Sequence, residues 1–235
     1  MTSPQKPLVF IISAPSGSGK STLTNELLKL VPNLEFSISY TTRHRRGSEQ
    51  DGKHYHYVSM DEFNRMIAAG EFLEYANVYG KYYGTAREFL RQAGRSGHDL
   101  LLDIDVQGAA QIKRNLTDAI SIFVLPPDRH TLEWRLRNRS EDSEEEIQRR
   151  LLTAKREIEE YDKYDYILIN DKLEKSIERL QAIVLSERLR RQQHPLSPEE
   201  QAIRERAERL RLANLKEKVQ PILASFRVPS PSASS

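Results

Sequence analysis

Leu8-Val9-Phe10-Ile11-Ile12-Ser13-Ala14-Pro15-Ser16-Gly17-Ser18-Gly19-Lys20-Ser21-Thr22 decides the architecture. Its first part is a short uncharged apolar run, the pattern of a strand buried on both faces. The second part is small and glycine-rich and ends in Lys-Ser, after which Leu23, Leu27 and Leu30 recur at helical spacing until Pro32-Asn33. A strand that passes through such a turn into a helix aims successive backbone N–H groups and a helix N-terminus at one place, and the lysine adds a point charge. Residues Ala14, Pro15, Ser16, Gly17, Ser18, Gly19, Lys20, Ser21 and Thr22 are therefore the expected cradle for the phosphates of a nucleoside triphosphate, with Ser21 as a ligand to Mg2+. Ala14 stands where the pattern has its first glycine. The pattern arises by chance about two times in a hundred in a chain this long, and its setting between strand and helix argues against a fortuitous turn.

Working outward, Leu100–Ile104, Ile120–Leu125 (stopped by Pro126-Pro127) and Tyr166–Ile169 read as further buried strands. Helical patterns separate them, which predicts a doubly wound parallel sheet flanked by helices. Two stretches interrupt the alternation. Residues 34–90 are punctuated by Gly and Tyr, and seven of the ten tyrosines (40, 55, 57, 75, 79, 82, 83) fall there, the mark of an inserted lobe built for contact. Residues 128–160 are densely charged, either a mobile helical flap or a solvated helix pair. A helix is expected from Leu173 to about Gln193. Ser197-Pro198-Glu199-Glu200 then restarts one with a capping box, expected to run to about Val219 or Gln220. Pro229–Ser235 reads as a disordered tail on composition.

Composition narrows the function. The 235 residues hold 36 Lys+Arg against 34 Asp+Glu, a net charge of +2, so no overall field suggests a duplex or a membrane surface as partner. The basic excess sits in residues 186–235, which carry 10 basic and 6 acidic side chains. The absence of cysteine excludes disulfides, thiolate zinc sites, iron–sulfur ligation and a cysteine nucleophile. The apolar run at 8–12 is far short of the ~20 residues of a membrane span. A soluble, cytoplasmic protein is the expectation, with neither membrane nor nucleic acid as partner. Mean hydropathy of −0.65 is polar for a globular domain and implies exposed helix or tail.

A phosphate loop does not say what receives the phosphate. Ser39-Tyr40-Thr41-Thr42-Arg43-His44-Arg45-Arg46-Gly47 puts guanidinium groups beside hydroxyls, where one phosphate dianion collects bidentate bonds. Tyr55 and the pair Tyr82-Tyr83 add phenolic donors. The competing reading is a solvated turn or a nucleic-acid contact. Glu74 lies in Glu71-Phe72-Leu73-Glu74-Tyr75, a carboxylate between apolar neighbours. Guanine presents adjacent N–H donors and a carbonyl on its Watson–Crick edge, so a carboxylate with a hydroxyl donor, Glu74 with Ser39, complements it. Standing alone, Glu74 reads more readily as an ordinary strand-edge residue than as a base reader. Asp103-Ile104-Asp105-Val106-Gln107-Gly108 follows a strand at its carboxyl end, where α/β sheets place ligands. One aspartate serves the Mg2+ shell and the other faces the acceptor; the alternative is a pair of turn-capping aspartates.

Assembled in order, the motifs resemble the guanylate kinases of the bacterial, P-loop nucleoside monophosphate kinase type. The resemblance rests on the phosphate loop, Ser39-x-Thr-Thr-Arg43-x-x-Arg46, Gly52-Lys53-x-Tyr55, Phe72-Leu73-Glu74, Tyr82-Tyr83-Gly84-Thr85, Asp103-Ile104-Asp105-x-Gln107-Gly108 and Tyr166-x-x-x-Asn170-Asp171. It implies transfer of the γ-phosphoryl group of ATP to GMP or dGMP in purine nucleotide metabolism, with Mg2+. The implied domain spans 6–194: a core of 6–33, 91–127 and 161–194, a mixed α/β GMP-binding lobe of 34–90, and a helical lid of 128–160. A helical extension of 195–228 and the tail 229–235 follow.

Carried over by position, the resemblance assigns Arg43, Arg46, Tyr55 and Tyr83 to the GMP phosphate and Ser39 and Glu74 to the base, with Gly84, Thr85 and Asp105 lining the same site. Lys20, Arg43 and the lid arginines Arg135, Arg139 and Arg150 surround the transferring group. Asn170 lies near the adenine, and Ser21 with the Asp103 region serves the metal. Arg137-Asn138-Arg139-Ser140 stands where the family has an Arg-Gly-type turn. The extension has Ile203, Ala207 and Leu210 at helical spacing. It reads as an amphipathic helix packed on its own core or on a second subunit, a route to a homo-oligomer, in preference to an RNA or protein contact. Two rival readings are another small-molecule kinase on the scaffold, such as a ribose-phosphate kinase, and a non-catalytic binding module. The purine-reading pair argues against the first, and the intact Lys20, Ser21, Arg43 and Asp103 against the second.

Overall fold

The computed structural model describes residues 6–78, 80–139, 143–192 and 194–227; the side chain of Arg139 and the tail expected at 229–235 lie outside the described residues. In chain order the elements are β1 (Val9–Ser13), α1 (Lys20–Leu30), β2 (Leu34–Phe36), β3 (Tyr40–Thr41), β4 (His56–Tyr57), α2 (Met60–Ala68), β5 (Phe72–Val78), β6 (Lys81–Ala86), α3 (Arg87–Ser96), β7 (Asp99–Asp103), α4 (Val106–Asn115), β8 (Ile120–Leu125), α5 (Arg129–Arg139), α6 (Glu144–Glu159), β9 (Tyr166–Ile169), α7 (Leu173–Leu189), α8 (Pro198–Glu208) and α9 (Leu212–Arg227). Five strands form one sheet in the order β2-β7-β1-β8-β9, and four form a second in the order β4-β3-β6-β5. Every residue of β1 and of β8 is buried, as uncharged runs require when both faces of a sheet are covered. The fold is α/β with a parallel sheet and flanking helices. Two compact units make it up: Met1–Ile11 with Val31–Ile120, and Ile12–Leu30 with Ser121–Ser235.

In the first unit β2 runs parallel to β7, with Leu34 opposite Asp99 and Phe36 opposite Leu101. The stretch expected to be a separate lobe from residue 34 thus opens with a strand of the larger sheet. A three-residue strand carries no periodicity that marks its partner. The smaller sheet follows: β6 pairs antiparallel with β3 and β5, and β4 lies parallel to β3. Phe63 and Met66 of α2 cover one of its faces with Phe72, and Tyr40, Val58, Ile67 and Tyr82 pack against that cluster. Helix α2 starts where Ser59 Oγ accepts the Glu62 N–H at 3.1 Å and has two acidic residues in its first turn, both favourable at a helix N-terminus.

In the second unit β8 and β9 are parallel, with Ile122 opposite Tyr166. Helix α6 is capped by Ser143 and carries Glu144, Glu145 and Glu146 in its first turn. Arg137 of α5 pairs with Glu133 at 2.8 Å and also with Glu144, so the first residue of the altered turn ties α5 to α6. Beyond α7 the chain makes two helices, not the single one expected from Ser197 to about Gln220. The capping box at Ser197 and Glu200 starts α8 as read. The helix then stops because residues 210–212 pair with β9. Ile167 N donates to Leu210 O at 2.9 Å and Leu212 N to Asp165 O at 3.1 Å, around an antiparallel bridge between Tyr166 and Arg211. β9 ends the sheet order, and this segment satisfies backbone groups that an edge strand would otherwise leave open. The Arg211 guanidinium lies 4.3 Å from the Tyr166 ring centroid and donates to Glu187 Oε1 at 2.8 Å. Helix α9 buries Leu215, Val219, Ile222, Leu223 and Phe226 and packs on α5, α6 and β9. Ala207 and Leu210 are buried within this chain.

Candidate active site

In the second unit the phosphate loop joins β1 to α1. Gly17 and Gly19 have φ of +91° and +90°, which a residue with a Cβ adopts only under strain. A Cβ on Gly19 would also stand 2.5 Å from Asn170 Nδ2, and one on Gly17 2.9 Å from a methyl of Leu136. Ser18 N donates to Pro15 O at 3.1 Å, and Leu23 N to Gly19 O at 3.2 Å, where the first helical turn begins. Lys20 opens α1, with Ser21 and Thr22 exposed beside it. The Ser18 hydroxyl is fully buried and has no hydrogen-bond partner among the described residues.

Three side chains from later in the chain reach this loop. Asn170, buried at the end of β9, donates its amide to Ser18 O at 2.7 Å. The resemblance places it near an adenine; here its amide is engaged in holding the loop. Arg135 of α5 donates to Ser18 O at 3.3 Å and to Asn170 O at 3.0 Å, so both its partners are carbonyls and its charge is not neutralised by them. Burial lowers its pKa while Asp128 raises it, and a guanidinium remains protonated throughout. Arg150 of α6 donates to Ser16 Oγ at 2.6 Å. For Arg139, only the backbone at the end of α5 is described.

In the first unit a carboxylate and its donors share one face of the smaller sheet. Register shifts between Phe72 and Glu74, and this irregularity sets Glu74 opposite Thr85. Glu74 is 4% exposed, and its Oε1 accepts the Thr85 hydroxyl at 2.6 Å. Burial pushes its carboxyl up to about 7; the Thr85 hydrogen bond opposes the rise and the charge of Asp105 adds to it. A Cβ on Gly108 would stand 2.6 Å from Glu74 Oε2, so the α4 glycine leaves the room that this carboxylate occupies. Asp105 caps α4 through Oδ1, which accepts the Gly108 N–H at 2.9 Å. It is the capping aspartate of the plainer reading and, at the same time, a neighbour of Glu74.

Tyr83 lies two residues from Thr85 on β6 and points to the same face. Gly84 and Tyr82 belong to the other: a Cβ on Gly84 would meet the Phe72 ring at 2.8 Å, and the Tyr82 ring is 5.6 Å from Phe63. The half-buried Tyr82 thus packs its ring against the Phe63 cluster, on the face away from Tyr83. The Tyr83 and Tyr55 rings are 5.7 Å apart, and the Arg43 guanidinium lies 5.2 Å from the Tyr55 centroid. The Tyr55 hydroxyl is pushed up to about 12, by burial first and then by the charge of Asp103 at the end of β7. Ser39 is half-buried and its carbonyl accepts the His56 N–H at 2.9 Å; Arg46 is exposed.

Two residues in this unit escaped the sequence reading. Glu49 receives Arg43 at 2.9 and 3.0 Å, the Tyr57 hydroxyl at 2.7 Å and the Arg46 N–H at 2.8 Å. The available signal was a lone carboxylate just after a loop with three arginines. The other is Tyr57, whose hydroxyl that carboxylate holds.

A parallel sheet whose first strand runs through a glycine-rich loop into a helix defines a P-loop nucleotide-binding α/β protein. A family model described as guanylate kinase matches residues 5–187. A guanylate kinase of Koribacter versatilis is 55% identical over 222 residues, covering 93% of this chain and 95% of that one, so the match reaches well into the region of α8 and α9. One of Syntrophotalea carbinolica is 49% identical over 180 residues, covering 77% and 86%. Among solved structures, the guanylate kinase from Anaplasma phagocytophilum is similar with a TM-score of 0.62 and 34% identity, over 77% of this chain and 86% of that one. The chain belongs to the guanylate kinase family.

Proposed function

We propose that this protein transfers the γ-phosphoryl group of ATP to GMP and dGMP, giving ADP and GDP, and that it serves purine nucleotide metabolism and the recycling of GMP in the cytoplasm. The observation that carries the acceptor assignment is Glu74, a buried carboxylate hydrogen-bonded to Thr85 in the unit that also holds Arg43, Tyr55 and Tyr83. A carboxylate kept from water at a binding face needs donors, and guanine N1–H and N2–H supply two, whereas adenine supplies no such pair. Arg43, Arg46, Tyr55 and Tyr83 take the GMP phosphate; Ser39, Glu74, Thr85 and Asp105 take the base, with Gly84 contributing backbone alone. Residues Ala14 to Thr22 take the ATP phosphates, and Asn170 acts there by holding Ser18.

Phosphoryl transfer has a loose transition state, so positioning and charge neutralisation dominate and no general base is assigned. Lys20, Arg43, Arg135, Arg139 and Arg150 supply the positive charge. No group of three or more carboxylate or imidazole side chains suited to a metal occurs among the described residues. Mg2+ keeps most of its water and takes one or two protein oxygens plus phosphates. Ser21 and Asp103 offer such oxygens; bound with ATP, the ion neutralises phosphate charge. No helix among the described residues is long and apolar enough to cross a membrane.

The test is ADP release with ATP and Mg2+ and either GMP, dGMP, AMP, UMP, CMP, ribose 5-phosphate or no acceptor. Turnover confined to GMP and dGMP is the expected result. Turnover with the sugar phosphate, or ATP binding without any turnover, refutes the acceptor assignment.

A further inference from the structure

The carboxylate of Glu49 is the hub of the arginine loop. Its Oε2 accepts Arg43 Nη1 at 3.0 Å, the Tyr57 hydroxyl at 2.7 Å and the Arg46 N–H at 2.8 Å, while Oε1 accepts Arg43 Nη2 at 2.9 Å. Arg43 Nη1 also donates to His44 O at 2.8 Å. A guanidinium has five N–H donors in a fixed plane. These bonds use both on Nη1 and one on Nη2, so the donors facing away from Glu49 are Nε–H and the second Nη2–H, on one edge; the Tyr83 hydroxyl also pairs with this guanidinium. That edge is the pair spaced to meet two oxygens of a phosphate. The Arg43 side chain is 10% exposed, so it is held by this frame and not by solvent. Tyr55 and Tyr57, at 5.2 and 5.8 Å from the guanidinium, flank it.

We infer that Glu49 is a positioning residue for the acceptor phosphate: it holds the Arg43 guanidinium by its terminal edge, fixes its plane, and leaves the Nε edge facing the incoming dianion. The inference rests on the GMP reading above. Arg43 pairing with its hydrogen bonds holds the Glu49 carboxyl down to about 2, so it is ionised wherever the enzyme works. An exposed ion pair contributes little; this one is two-pronged, largely buried at the arginine and tied to the backbone at Arg46. The converse reading, in which Glu49 competes with the phosphate for Arg43, predicts the opposite sign when the charge is removed.

Initial rates with saturating ATP and varied GMP, on wild type, Glu49→Gln, Glu49→Asp and Tyr57→Phe, test it, with guanosine as a competing ligand. In Glu49→Gln the amide nitrogen opposes an Arg43 N–H, so the two-pronged pair is lost. The KM for GMP is expected to rise about tenfold or more, with the KM for ATP within about twofold of wild type and any fall in kcat smaller than the rise in the KM for GMP. Guanosine inhibition stays unchanged, because the nucleoside has no phosphate. Glu49→Asp recovers part of the loss, and Tyr57→Phe shifts the KM for GMP the same way by less. Those two variants carry the test should Glu49→Gln fail to fold. An unchanged or lower KM for GMP overturns the inference, as does equal weakening of GMP and guanosine, which would mean general damage to the loop. Wild type without GMP turnover overturns the acceptor reading and this inference together; an active wild type with indifferent variants overturns the inference alone.

Discussion

Glu74→Gln separates the cost of burying a charge from everything else that this carboxylate does. The side chain is 4% exposed, and burial raises its pKa to about 7 from the ordinary carboxylate value of 4.5. A folded-state pKa above the unfolded one means that the folded chain keeps its proton longer. Below 4.5 both states hold a neutral carboxyl. Between 4.5 and about 7 the unfolded chain has released its proton and the folded one has not, so stability falls as pH rises; above 7 the folded state bears the full cost of an ionised buried group. At 1.36 kcal/mol per pH unit the interval amounts to about 3 kcal/mol. Glutamine is neutral at every pH and keeps an oxygen for the Thr85 hydroxyl. The variant's stability relative to wild type is therefore expected to climb by about 3 kcal/mol between pH 4.5 and pH 8. For a chain of this size that is a gain in relative Tm of roughly 6–12 °C. Thermal and urea unfolding of both proteins, each compared at the same pH, reads it directly. A stability difference that does not change with pH refutes the account of Glu74 as a desolvated, reluctantly ionised carboxylate.

Gly108→Ala places a Cβ 2.6 Å from Glu74 Oε2 and is expected to raise the KM for GMP while leaving that for ATP unchanged, as steady-state kinetics will show. Lys20→Ala removes the point charge of the phosphate loop and is expected to lower kcat by about 10²-fold or more, measured by coupled ADP release. Phe226→Ala empties a buried site on α9. It is expected to destabilise the protein by about 3 kcal/mol or more in urea unfolding, with kcat at 25 °C unaltered.

Legibility in the sequence followed the range of the interaction. The uncharged runs Val9–Ser13 and Ile120–Leu125 announce buried strands by themselves, and Ser197 with Glu200 announces a helix start, because both signals are complete within a few residues. Leu34–Phe36 and residues 210–212 are no less structured, yet their partners are Asp99–Leu101 and β9, and nothing local marks them. The same holds for side chains. Tyr82 and Tyr83 are adjacent and chemically identical, and only the pleat sends one to the Phe63 cluster and the other toward Tyr55. Glu49 was invisible because its importance lies in four donors gathered from three other residues.

What the sequence determined alone is the chemistry available: small residues before Lys20-Ser21, arginines beside hydroxyls at 39–46, and a carboxylate among apolar neighbours at 74. Chain order is enough for these, since a backbone cradle and a cluster of like charges are local objects. What the tertiary structure decided is the state of each group. Whether Glu74 is an ordinary edge carboxylate or one held near neutrality depends on a register shift in β5, a hydroxyl on β6 and a missing Cβ on α4. Desolvation is set by everything that surrounds a group and by nothing in its own stretch of chain, so it appears only once the strands are paired.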